Sequence, residues 1–246
     1  MVLLTRYALN NQLIVGLDTT EGIDTLSSLI YYGRIRAIFN LLPLLNQSDN
    51  PRVISVLGGG NEKPIDSTDL EVRNNYSVIK ATGTALTKTT LVFEKFAKSN
   101  PAVAFIHWHP GLVNTGQVDK FFQSMTGVWT ALGFVARWIL LPLFVNPVSR
   151  SVSEAGEWGV YLATSAAYSP AQPRNGTRTP AGVPTEEGAP TAVGSTTHAP
   201  GVYLIDKNGT YVTKSASVLE KLGEENMGDK VWDDTMAVWN RALGLD

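Results

Sequence analysis

Tyr76-Ser-Val-Ile-Lys80 places a phenol and an ammonium four residues apart in a stretch with helical periodicity. Residues four apart on a helix share one face, so the two groups can approach each other. An unperturbed tyrosine titrates near 10, and a neighbouring positive charge favours the phenolate. Such a tyrosine can exchange a proton with a carbonyl or an alcohol near neutral pH. By itself the spacing is common, and the bland reading is a solvated lysine beside a packed aromatic. Ser55 lies upstream near the end of a β-branched run, with Ser67 and Thr68 as alternative hydroxyls on the following loop. Downstream, Pro110-Gly-Leu-Val-Asn-Thr115 closes a second apolar run.

The elements needed to position these groups are legible in the pattern. From Asp24 to Leu45 apolar residues recur at three- and four-residue spacing, which predicts an amphipathic helix despite Pro43. Arg52-Val-Ile-Ser-Val-Leu57, closed by Gly58-Gly-Gly60, predicts a buried parallel strand ending in a turn. A second long helix is expected over Asn74 to Ser99, and Val103-Ala-Phe-Ile-His-Trp-His109 reads as another buried strand. The order helix, strand, helix, strand implies right-handed crossovers and a parallel sheet. A helix follows from Ser151 to about Ser165, and order resumes at Gly201-Val-Tyr-Leu-Ile-Asp206, with a tight turn expected at Asn208-Gly209. Helices near 214 to 223 and 229 to 243 complete the pattern, and a short strand is expected near Leu13 to Gly16.

These motifs, in this order, resemble the short-chain dehydrogenase/reductases, in which a Ser-bearing strand, a Tyr/Lys helix and a Pro-Gly turn with a Thr follow one another. The likeness is to fungal members of secondary metabolism, carried by Thr20-Glu-Gly-Ile-Asp24, Tyr31-Tyr-Gly-Arg-Ile-Arg36, Leu41-Leu-Pro-Leu-Leu45 and the late Lys230-Val-Trp-Asp-Asp-Thr235. It runs from about Asp18 to the C-terminus. The resemblance implies an α/β fold: a partial Rossmann-like parallel sheet flanked by helices, missing the first strands of the usual doubly wound arrangement. It implies Tyr76 as acid/base with Lys80 and Ser55 as its partners, and a nicotinamide cofactor, NADP or NAD, held by Lys80, Pro110, Gly111, Val113 and Thr115. The family's helix Asn has no counterpart, since Ile30, Tyr31 and Tyr32 occupy its region.

No Gly-rich turn opens a helix near the N-terminus, where such folds seat the pyrophosphate. Two other readings therefore stand beside an oxidoreductase acting on a bulky apolar metabolite. One is a cofactor-independent isomerase, cyclase or dehydratase on the same scaffold; the other is a catalytically inactive interaction partner. A homo-oligomer formed through the long helices or an exposed sheet edge is expected.

The chain of 246 residues is expected to form one domain. Residues 117 to 148 read as a substrate lid carrying Trp129 and Trp138, and 169 to 200 as an irregular excursion rich in Pro, Gly and Thr. Thr126 to Val145 is the most hydrophobic window, yet Arg137 and Pro142 argue for a lid over a membrane span, with membrane-surface contact as a further possibility. His107 and His109 share a side at strand spacing but have no third ligand near in sequence, so no metal site is expected. A formal charge of -2 argues against nucleic acid as partner. The absence of cysteine excludes disulfides, and the lack of a secretory signal predicts a cytoplasmic protein.

Overall fold

The computed structural model describes residues 2–4 (as backbone), 17–116, 134, 135, 138, 149–172 and 200–245. Its centre is a parallel four-stranded sheet of β1 (Val2–Leu4), β2 (Arg52–Val56), β3 (Ala104–Trp108) and β4 (Val202–Ile205), in that spatial order. Pairing is in register, with Val53 opposite Phe105 and Ser55 opposite His107, and Ile106 opposite Tyr203. Side chains alternate across such strands. Val53, Phe105, Val202 and Leu204 accordingly enter one core, while Ile54, Ile106, Trp108 and Ile205 enter a second on the other face. Because both faces are covered, the strands read as near-continuous apolar runs, the signature of parallel sheets.

The helix expected over Asp24 to Leu45 forms in three connected pieces: α1 (Thr25–Ser27), a π-helical turn (Ser28–Tyr32) and α2 (Gly33–Leu45). Asp24 caps its start, accepting a 2.7 Å hydrogen bond from the Ser27 amide. The π turn lets both Tyr31 and Tyr32 turn inward, at 1% and 3% exposure. Period alone could not show this, because adjacent residues of a regular helix point about 100° apart.

α3 (Val78–Ser99) begins four residues later than its pattern predicts. Ser77 is extended (φ −147°) and its hydroxyl accepts from the Lys80 amide at 3.1 Å, while Asn75 sits in the left-handed region at φ 51°. Those conformations end any continuation of the helix towards Asn74. Tyr76 therefore precedes the helix, and its four-residue spacing to Lys80 is not a helical turn.

α4 (Val152–Thr164) is capped by Ser151, which accepts from the Glu154 amide at 3.1 Å, and its Leu162 packs on the second face of the sheet. The expected turn at Asn208-Gly209 is present. The Asp206 carboxylate accepts from the Asn208 and Thr210 amides, and Gly209 has φ 71° with the Trp158 ring close beside it. α5 (Ala216–Glu224) and α6 (Met227–Leu243) follow as predicted, and α6 lays Val231, Val238 and Trp239 into the first core. Phe39, Phe96 and Trp232 meet there with ring centroids 5.1 to 6.1 Å apart.

Leu13 to Gly16, Trp129, and most of the expected lid and excursion lie outside the described residues. No helix among the described residues is long and apolar enough to cross a membrane.

The Gly58–Gly60 turn is packed tightly. A Cβ added at Gly59 would lie 2.0 Å from the His107 carbonyl oxygen, whereas one at Gly156, inside α4, meets nothing within 4 Å. Gly59→Ala is therefore expected to cost about 1–3 kcal/mol, as overpacking does. Gly156→Ala should gain about 0.5–1 kcal/mol from helix propensity. Urea unfolding of the two variants beside wild type checks the opposite signs.

Candidate functional site

In open parallel sheets the chemistry gathers beyond the carboxyl ends of the strands. Here that edge is formed by the end of β2 with Ser55, the 57–77 loop leading into α3, and the Pro110–Thr115 segment after β3. Ser55 is 2% exposed and in register with His107, so alternation points it towards α3. The Tyr76 hydroxyl is enclosed. The Lys80 ammonium, 38% exposed as a side chain, donates to Asp69 Oδ2 at 3.2 Å and to the Asn74 carbonyl at 2.9 Å.

Gly111 has φ 78° and faces the Lys207 side chain. The segment after it is tied to the start of α4: Arg150 donates its amide to Leu112 O at 2.8 Å, and Asn114 donates to Arg150 O at 2.9 Å. Val113 bridges to Arg150, and Thr115 is exposed, its amide bonded to Val113 O. Trp138 is 62% exposed, with the Phe134 ring 6.2 Å away.

Two buried polar clusters escaped the sequence reading. In the first, Glu62 Oε1 accepts from the Gly60 amide at 3.1 Å and from Thr90 Oγ1 at 2.7 Å. Thr90 Oγ1 lies 2.9 Å from His107 Nδ1, which is 3.6 Å from Glu62 Oε1. Thr90 has a single hydroxyl proton; with that proton given to Glu62, His107 Nδ1 must be the donor to Thr90. Burial pushes the Glu62 carboxyl up, but His107, with help from the Ser215 and Thr90 hydroxyls, outweighs it and holds the group down at about 2. His107 is thus committed inside the protein. Among the described residues no group of three His, Asp or Glu could hold a metal.

The second cluster surrounds Lys88, whose side chain is 2% exposed. Its ammonium donates to Asp234 Oδ2 at 2.9 Å, Tyr32 OH at 3.1 Å and Leu70 O at 3.3 Å, and lies over the Tyr31 and Tyr32 rings at 4.6 and 4.7 Å. Tyr31 OH shares a 2.7 Å hydrogen bond with Thr235. Burial pushes both phenols well above their ordinary range, with Asp234 adding to the effect. Burial also lowers the Lys88 ammonium, against the opposing pull of Asp234. The adjoining pocket, lined by Tyr31, Tyr32, Leu70 and Lys88 among others, has a volume of about 10 Å³, the room of a single water molecule. The partners are 56 and 146 residues from Lys88 in sequence. The one available signal was a lysine on the apolar face of α3.

Over 92% of its length the chain is 37% identical to an oxidoreductase of Emericella nidulans, AN1596, and spans 64% of that protein. It is 32% identical, over the same share, to notO of an Aspergillus species, an oxidoreductase with an NmrA-like family domain, and spans 60% of it. A short-chain dehydrogenase/reductase of Stachybotrys chartarum, SAT2, is 37% identical over 60% of the chain and 41% of its own. At 32 to 37% identity, these likenesses support an oxidoreductase family like the short-chain dehydrogenase/reductases. The chain spans less than two thirds of the length of these curated relatives. No family model matches the chain, and no solved structure does. The parallel α/β sheet agrees with the partial Rossmann-like fold that the family resemblance implied.

The depressed Glu62 carboxyl has a measurable consequence. Its ionised form stabilises the fold above the ordinary value of 4.5, and that contribution is lost as pH falls from there through about 2. Glu62→Gln should flatten the fall of urea midpoint with pH across this window, and an unchanged slope would contradict the assignment.

Proposed function

We propose that the chain supplies the substrate-handling part of a nicotinamide-dependent oxidoreductase acting on a carbonyl or alcohol. Tyr76 is the acid/base, and Lys80 favours its phenolate and holds the nicotinamide ribose. The observation that carries this reading is the likeness, over 92% of the chain, to proteins named oxidoreductases.

The residues at the carboxyl edge fit one end of the cofactor. Lys80, half-exposed at the start of α3, presents an ammonium suited to ribose hydroxyls, and the Pro110–Thr115 backbone with the exposed Thr115 would face the nicotinamide. The Gly58–Gly60 turn does not fit a pyrophosphate. The space beside Gly59 is filled by His107 and that beside Gly60 by Val212.

A nicotinamide held by Lys80 and the Pro110–Thr115 backbone would supply the hydride chemistry at the substrate carbon. In reduction Tyr76 donates its hydroxyl proton to the carbonyl oxygen as the alcohol forms; in oxidation the phenolate takes the alcohol's proton. The Lys80 ammonium lowers the cost of the phenolate by charge alone. Trp138 and Phe134 offer exposed aromatic surface, which suits a bulky, ring-containing, apolar substrate.

Titration with NADPH, followed by nicotinamide fluorescence, tests the cofactor reading. Saturable enhancement is expected with wild type and with Tyr76→Phe, and about tenfold weaker binding with Lys80→Met, the order of one charge-assisted hydrogen bond lost. No saturable change up to high micromolar cofactor would overturn it.

A further inference from the structure

Asp69 lies on the loop between β2 and α3, and its side chain is 4% exposed. Three donors converge on its carboxylate. The Arg73 amide reaches Oδ1 at 2.7 Å, and the Asn74 amide and the Lys80 ammonium reach Oδ2 at 3.1 and 3.2 Å. Burial pushes the carboxyl up, but these bonds prevail and keep it below its ordinary range, so it is ionised at neutral pH.

The turn that this carboxylate closes is strained. Val72, 2% exposed, has φ 56°, a costly conformation for a β-branched residue, and Asn75 has φ 51°. Tyr76 follows directly. One buried carboxylate thus shapes the backbone entering Tyr76 and also fixes the ammonium four residues on.

The other charges nearby are differently engaged. The Arg73 guanidinium turns to Asp18 at 2.6 Å and Glu71 at 3.3 Å, and Glu71 also pairs with Arg241 at 2.8 Å. Lys88 is held by Asp234, and the exposed Asp66 carboxylate feels Lys80 only through its charge. Asp69 is therefore the buried counter-charge of Lys80, and while the two are bonded the pair presents little net charge to its surroundings.

We propose that Asp69 is a positioning residue that parks the Lys80 ammonium, so that Lys80 activates Tyr76 only to the extent that it leaves Asp69. This rests on the Tyr76/Lys80 reading above. Activation of the phenol is then conditional: ribose hydroxyls that draw the ammonium off the carboxylate bring its full charge to bear on Tyr76.

Tyrosinate absorbance during alkaline titration reads this without any substrate. The chain has eight tyrosines, so the curve of each protein is differenced against the same protein carrying Tyr76→Phe, which isolates the Tyr76 midpoint. Lys80→Met is expected to raise that midpoint and Asp69→Asn to lower it by about one pH unit, the order of effect of one nearby charge. In Asp69→Asn/Lys80→Met less than half of that fall should survive. An Asp69→Asn midpoint equal to wild type, with Lys80→Met still shifting it, would overturn the proposal and leave the Tyr76/Lys80 reading standing. A Lys80→Met midpoint equal to wild type would overturn the underlying reading and the proposal with it. Should Asp69→Asn fail to fold, Asp69→Ser, whose hydroxyl can still accept from the Arg73 amide, meets the same criteria. Loss of fold in both would assign Asp69 to the turn alone and overturn the proposal.

Discussion

A helix buried between a sheet and a second helix has to find partners for every polar group it carries, and α3 carries several. Thr87 and Thr90 are 0% exposed and Lys88 2%. Left unpaired, each would cost a desolvation penalty comparable to a lost hydrogen bond or more. Thr87 Oγ1 donates to Lys63 O and accepts from Lys63 N, Thr90 donates to Glu62, and Lys88 donates to Leu70 O. The loop between β2 and α3 is thereby sewn to the helix at three places. Two of these residues also tie the helix onward, Thr90 to β3 through His107 and Lys88 to α6 through Asp234. The position of Tyr76 and Lys80 at the sheet's carboxyl edge follows from this stitching.

That arrangement places two lysines in different surroundings. Tyr32 and Lys88 are hydrogen-bonded, but burial keeps the phenol protonated and Asp234 balances the ammonium. The pair serves cohesion, and a buried pair of this kind is costly to break by removing one partner alone. Lys80 instead is part-exposed, on a carboxylate with which it can exchange partners. Of the two lysines only Lys80 has a side chain that solvent reaches. The glycine turn beneath them has a packing role, for Gly58–Gly60 allow the loop to cross close to β3 and to Val212.

How much of this could be read without coordinates depended on the range of the interaction concerned. The strands over Arg52–Val56, Ala104–Trp108 and Val202–Ile205 and the helices from Val152, Ala216 and Met227 were legible, because apolar period and turn residues act within a few positions. The start of α3 was not, since the apolar period runs on through Tyr76 and gives no sign of the left-handed Asn75 or of the carboxylate of Asp69. The π turn that brings Tyr31 and Tyr32 inward was invisible for a similar reason: it is chosen by their packing against Lys88 and Thr235.

The sequence by itself determined the family likeness, the parallel α/β architecture and the residue types available for chemistry, because motif order and periodicity are properties of the chain. Only the tertiary structure decided which groups meet. Glu62, Thr90 and His107 are brought together from a loop, a helix and a strand, and Lys88 and Asp234 from positions 146 residues apart. Asp69 holds Lys80 from across a strained turn. Burial makes each of these partnerships obligatory, since an unpaired charge or hydroxyl in the core would cost more than ordering its partner.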